Sequence, residues 1–358
     1  MRAQNQTGQR AGRLRYTLAQ GLRTAWYGGQ YALARRRSAG FTRPGEPVFQ
    51  PRNGTDLKAL RKAYFDLFRA DRANIERGVY PDPMAQDMRL VDFPKTLLRA
   101  RRFLKDVAAV DARRVARNGT EVRQDLAKDP QRFPAYFRQN FHYQTDGWLS
   151  TESADIYDHQ VEALFTGAAD AMRRIALAAL GKALEQHRQD QMQVLDLACG
   201  TGRFMAQTLR AFPRLNLTGL DLSPPYAETA RQAIKNWPQA DVVEGQAEVM
   251  PFPDARFDHL ISIYLFHELP PRIRTKVIAE ASRVLKPGGV FIVADSLQFG
   301  DSEGLDGFLE YFPEGFHEPY YKGYLSWDFE PVMRASGFES VDTQLAFLTK
   351  VRVWRKIT

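Results

Sequence analysis

The sequence predicts an α/β protein, an open and mainly parallel sheet covered by helices and preceded by an all-helical segment. Two observations lead there. From Met192 onward, short β-rich runs alternate with helical windows, the pattern of a parallel sheet covered on both faces. Before that point, apolar residues recur at three- and four-residue spacing between proline breaks, as in packed helices. At 358 residues the chain is long for one domain and comfortable for two. The expected organisation is an arginine-rich arm and linker over residues 1–50, a helical accessory layer over 51–190 and a sheet domain over 191–358.

Charge singles out the arm. Residues 1–45 hold nine arginines and no lysine, aspartate or glutamate, and the rest of the chain has 41 basic against 42 acidic residues. The net charge of +8 therefore comes from the arm, and a neutral body offers no broad electrostatic footprint for nucleic acid. Leu14, Leu18, Leu22, Ala25 and Trp26 fall at helical spacing among these arginines, with Tyr27 and Tyr31 close by. Two readings stand: a helix lying peripherally on anionic membrane, or a disordered basic tail. Arg43-Pro44-Gly45-Glu46-Pro47 and Pro51-Arg52-Asn53-Gly54 read as the linker. No apolar run approaches the roughly 18 residues of a membrane span, and the start lacks the apolar stretch of a signal peptide. The single cysteine, Cys199, excludes an intrachain disulfide and suits a reducing cytoplasm.

In the accessory layer, Leu57, Leu60, Tyr64, Leu67 and Phe68 mark one helix; Val161, Leu164 and Phe165, then Ile175, Leu177 and Leu180, mark others. Between them, Asn140 to Ser150 concentrates polar and aromatic side chains just before the helix carrying Tyr157 and Asp158. That stretch is expected to be part of a lid or acceptor pocket, or else a staple in which Phe141 and Trp148 fix the helices to the sheet. Strands are expected at Gln193 to Ala198, Asn216 to Leu222, Asp241 to Glu244, His259 to Tyr264 and Val290 to Asp295.

The first strand runs into Asp196-Leu197-Ala198-Cys199-Gly200-Thr201-Gly202, and a helical window follows. Glycines there let the backbone approach a ligand, and the start of the helix offers free N–H groups to an anion such as a carboxylate. Asp221 ends the next strand, where a carboxylate can accept both hydroxyls of an adenosine ribose. A dinucleotide fingerprint requires a third glycine, and that position is Met205. Asp196, before the loop, suits a ligand bearing an ammonium group.

At these residues the sequence resembles the class I S-adenosylmethionine-dependent methyltransferases, nearest to the quinone-ring branch. The resemblance continues through Gly245 to Asp254 with Phe257-Asp258, and through Arg283 to Gly289. It implies a Rossmann-like seven-stranded sheet and methyl transfer from S-adenosyl-L-methionine. It also implies that Asp196, Gly200 and Gly202 face the methionine moiety, Asp221 the ribose, and Leu222, Gln246 and Ala247 the adenine, with Ala198 and Ile263 also among the cofactor-binding residues. Tyr143 would join them from the lid. Many relatives have aspartate where this chain has Gln246, whose amide oxygen still accepts a hydrogen bond.

A general base is needed only if the acceptor must lose a proton. His267, in Leu265-Phe266-His267-Glu268-Leu269-Pro270, is the first candidate base or orienting group; His317, Tyr321 and His142 are the others. No cluster has zinc-ligand spacing and His159, His187 and His259 are scattered, so no metal is expected. The Asn/Asp-Pro-Pro-Tyr signature of base and glutamine methylation is absent after the fourth strand. The expected reaction is methylation of an oxygen or carbon on a small or lipidic acceptor. RNA or protein methylation with the arm as phosphate binder, and a catalytically silent cofactor-binding subunit, remain as alternatives.

Overall fold

A computed structural model describes residues 2–38, 47–83, 93–125 and 132–357. Helices come first: α1 (Arg2–Arg37), α2 (Leu57–Glu76), α3 (Phe93–Ala116), the short α4 (Val122–Asp125), α5 (Thr151–Leu164) and α6 (Ala169–Leu184). The Asp56 carboxylate accepts from Lys58 N at the start of α2, and the Ser150 hydroxyl accepts from Ser153 N at the start of α5. α6 is buried over most of its circumference, as expected of a helix whose apolar residues are not confined to one stripe. Its buried Arg174 donates to Asp71 at 2.8 and 2.6 Å, which ties α6 to α2.

The arginine-rich stretch is not a detached arm. Residues 2–37 form one helix, and Arg23 reaches through the helical layer to Glu162 at 2.8 Å and Asp170 at 2.9 Å. Tyr16 is buried and donates to Asp71 at 2.6 Å, while Leu14, Leu18 and Leu22 face outward. The expected linker residues from Arg43 to Glu46 lie outside the described residues.

The sheet follows as β1 (Gln193–Leu197), α7 (Arg203–Ala211), β2 (Asn216–Asp221), α8 (Pro224–Ile234), β3 (Ala240–Glu244), β4 (Phe257–Ile263), α9 (Pro271–Val284) and β5 (Leu285–Ser296). Then come α10 (Asp306–Gly315), α11 (Tyr321–Leu325), α12 (Glu330–Ala335), β6 (Phe338–Ala346) and β7 (Thr349–Lys356). The strand order is β3-β2-β1-β4-β5-β7-β6, with β1 to β5 parallel and β7 antiparallel to both neighbours. One face packs on α6, α7 and α8, and the other on α9 and α12. β1 lies between β2 and β4, where the chain reverses its direction of winding, and a crevice opens there at the carboxyl ends of the strands.

Candidate active site

β1 delivers Asp196 to the crevice, and the loop after it turns through left-handed residues Ala198, Gly200 and Gly202. A Cβ on Gly200 would meet nothing within 4 Å, because that face looks into open space. A Cβ on Gly202 would lie 2.8 Å from Ala230 Cα, so only glycine lets α7 start this close to α8. Asp221 holds the loop from β2: its Oδ2 accepts from Gly200 N and its Oδ1 from Ser223 N, both at 2.8 Å. Burial pushes the Asp221 carboxyl up to about 6, against these two amides. Burial and the neighbouring Asp221 push Asp196 up to about 8, and Asp196 Oδ2 has no hydrogen-bond partner among the described residues.

These groups line a cavity of about 140 Å³ together with Ala198, Leu222, Ala247 and Ile263. The helical layer closes it. Phe141 stacks on Trp148 with centroids 4.2 Å apart, and the Ser223 hydroxyl donates to Trp148 O. Gln144 Nε2 donates to Tyr226 OH at 3.0 Å, Thr201 to Asp158 at 2.9 Å, and Tyr136 to Glu248 at 2.8 Å. Three different helices or turns of the sheet domain are thus bonded to the segment from Tyr136 to Asp158.

A second cavity, of about 240 Å³, shares Trp148, Tyr157, Tyr264 and Glu268 with the first. Its body is apolar, with Phe103, Val107, Val161, Leu164, Phe308 and Phe312 among its walls. Tyr31, Ala34, Arg35 and Ser38 of the N-terminal helical segment close one side. One group of polar residues in its lining is His142, His267, Glu268, Glu318 and Tyr321, and a second is Arg35, Ser38, Asp111 and Arg114 from the helical layer.

His142 Nε2 lies 3.0 Å from Glu268 Oε1 and 3.2 Å from Glu318 Oε1. Burial opposes charge on this ring, yet the two carboxylates outweigh it and raise the ring to about 10. His267 Nδ1 lies 2.5 Å from Asp295 Oδ1, and Asp295 Oδ2 accepts from Phe266 N at 2.7 Å. Burial again opposes charge, and Asp295 and Glu268 hold His267 well above the ordinary histidine range. Burial works to raise Glu268, but the two imidazoles bring it down to about 2. His267, expected from the sequence as a base or an orienting group, has its Nδ1 held against Asp295.

Asp196, Ala198, Gly200, Asp221, Leu222, Ala247 and Ile263 come together in the first cavity, and His142, His267 and Tyr321 in the second. Four expected residues line neither. Gly202 is turned toward Ala230, Gln246 bridges to Val249, Tyr143 packs against His317, and His317 is bonded to Gln139 at 2.8 Å. Lying one residue from Tyr143, His142 takes the cavity position because both have left-handed backbones, which turns the pair relative to an ordinary helical turn. Among the cavity residues the sequence reading missed are Glu268, Tyr264 and Arg173. A usable signal existed for the last: two arginines inside the apolar run of α6 must be paired to be buried.

A protein-family model for a methyltransferase domain matches residues 194–289. An uncharacterized methyltransferase of Synechocystis is 39% identical over 29% of this chain and 46% of its own length. The demethylmenaquinone methyltransferase of Chlorobaculum tepidum is 34% identical over 41% of this chain and 57% of its own. The fatty-acid O-methyltransferase of Mycolicibacterium smegmatis is 31% identical over 36% and 45%. The chain spans about half the length of these curated relatives.

Proposed function

With a class I methyltransferase domain at residues 194–289 as the premise, we propose that the chain transfers the methyl group of S-adenosylmethionine to a small or lipidic acceptor held in the second cavity. The observation that carries this reading is the shared wall: Trp148, Tyr157, Tyr264 and Glu268 border both cavities, so a donor in one abuts an acceptor in the other.

The residues present fit the donor. Asp196 Oδ2 is a buried acceptor with no partner, which an ammonium group would satisfy. Asp221 is already oriented by two amides and keeps lone pairs for ribose hydroxyls. Leu222 and Ala247 offer apolar surface for the base, and Gly200 leaves room for close approach. When bound, S-adenosylmethionine supplies a methyl group on a sulfonium, open to in-line displacement. Alignment is then most of what the protein must contribute. The aromatic lid around Phe141 and Trp148 keeps water from the shared wall, and the apolar body of the second cavity aligns the acceptor.

That body favours a lipidic or quinone-like acceptor, and the relatives named as demethylmenaquinone and fatty-acid O-methyltransferases support the same class. The outward leucines of α1 support delivery of such an acceptor from an anionic membrane surface. No helix among the described residues is long and apolar enough to cross a membrane. The test is turnover of S-adenosylmethionine to S-adenosylhomocysteine with extracted lipids and quinones. Absence of turnover despite tight cofactor binding would favour a silent subunit, and turnover on RNA alone would overturn the small-acceptor reading.

A further inference from the structure

We propose that His142, Glu268 and Glu318 form a divalent-cation site opening into the second cavity. The three residues come from separate stretches of chain, so their sequence spacing does not resemble a metal motif. Folding brings one ligand atom of each within 4.8 Å of the others. His142 Nε2 stands 3.0 and 3.2 Å from the two carboxylates, close to the ~3 Å between neighbouring ligand atoms around a metal bound at roughly 2.0–2.2 Å.

The carboxylates are otherwise unprovided for. Glu268 and Glu318 are 5% and 4% exposed, and Glu268 Oε2 and both Glu318 oxygens are buried without a hydrogen-bond partner among the described residues. One imidazole cannot satisfy two buried carboxylates, and a buried carboxylate left short of partners is costly. The set is also held rigidly. His142 N donates to His317 O at 3.1 Å, placing Glu318 opposite the ring, and His142 has a left-handed backbone of the kind that persists where surrounding structure imposes it. His267, held by Asp295, stands at ion-pair distance, 3.6 Å, from Glu268 Oε1 and bounds that side of the set.

One imidazole and two carboxylates suit zinc, manganese or ferrous iron, and three protein ligands leave positions open toward the cavity. The cation would there take an oxygen of the acceptor, a role that rests on the function proposed above. The binding itself does not.

The full chain, stripped with chelator and freed of it by gel filtration, is titrated calorimetrically with Mn²⁺, Zn²⁺ and Co²⁺ without cofactor or acceptor. Saturable binding of one cation per chain is expected, with a higher melting temperature and visible Co²⁺ absorption from a non-solvated site. Glu318→Gln and His142→Gln, checked by circular dichroism, should each weaken binding by about tenfold or more. Glu268→Gln stands in should either fail to fold. No saturable binding by any of the three ions, or unchanged binding by the folded variants, overturns the site. S-adenosylmethionine binding measured on the same stripped protein reads the methyltransferase proposal separately.

Discussion

The backbone N–H of Gly200 donates to Asp221 Oδ2 at 2.8 Å, so the glycine loop and the acidic end of β2 form one unit before any ligand arrives. Asp221→Ala frees the loop and removes the proposed ribose acceptor together. S-adenosylmethionine binding should weaken by about 1.5–3 kcal/mol, the range for hydrogen bonds to a charged group. Calorimetry measures it, and unchanged affinity removes the ribose assignment.

Asp196 gives the binding a pH signature. Burial and Asp221 hold its carboxyl near 8, so the free protein keeps it largely protonated at pH 7. A ligand ammonium favours the carboxylate, so binding expels a proton and affinity rises from pH 6 to 8. Calorimetry in buffers of different ionisation enthalpy should show proton release at pH 7. Asp196→Asn should abolish the release, and a flat affinity profile in the wild type would count against the ammonium assignment.

Arg23 serves two buried carboxylates, Glu162 and Asp170, from a helix remote in sequence. Arg23→Ala should destabilise the fold by about 3–5 kcal/mol, the cost of breaking a buried pair by removing one partner. Urea denaturation checks this. A loss below about 1 kcal/mol would mean that water reaches the cluster in the variant.

Leu14, Leu18 and Leu22 are each about 60% exposed, while Tyr16 and Ala19 are buried on the opposite side of α1. Replacing the three leucines by serine should leave the melting temperature and turnover of a soluble acceptor nearly unchanged and reduce co-sedimentation with anionic liposomes. Equal sedimentation of variant and wild type removes the membrane contact.

His159 and His259 are both lowered to about 4, chiefly by burial. The unfolded chain takes up protons first as pH falls below about 6.5, and the folded one only near 4, so stability is lost across that window. Asp196 and Asp221, which the folded chain protonates first, act in the opposite sense over the same window, so a histidine's share is read as a difference between wild type and variant. His259→Phe, at a ring with neither nitrogen hydrogen-bonded among the described residues, should gain in denaturant midpoint relative to wild type as pH falls from 7 to 4.5, and a constant difference would remove the assignment.

The lining of the first cavity was legible because its determinants are contiguous: Asp196 to Gly202 lies on one strand and turn, and Asp221 ends the adjoining parallel strand. Gln246 shows the limit, since its side of the turn is set by a bridge to Val249 that the local sequence does not encode. The second cavity was legible only in pieces. Its walls come from α1, α3, α5 and α10, and its polar end from residues 142, 267, 268 and 318, so the set exists only once the helical layer has docked. Helical periodicity found α1 but not its burial, because arginine content argues for solvent and only the tertiary partners Glu162 and Asp170 reverse that inference.

The placement of α1 also bears on synthesis. Gln20 of α1 donates to Gly167 O, a partner 147 residues later in the chain. At ribosomal rates of about 5–20 residues per second, that partner emerges roughly 7–30 s after the helix. Until α2 emerges with Asp71, the nascent segment has both its leucine-bearing side and its Tyr16 side uncovered, and the Arg23 and Gln20 partners come later still, so trigger-type holding factors would meet it before the native fold does. A ribosome stalled before Asp170 should present an aggregation-prone intermediate, and one stalled beyond it a chain able to sequester the helix.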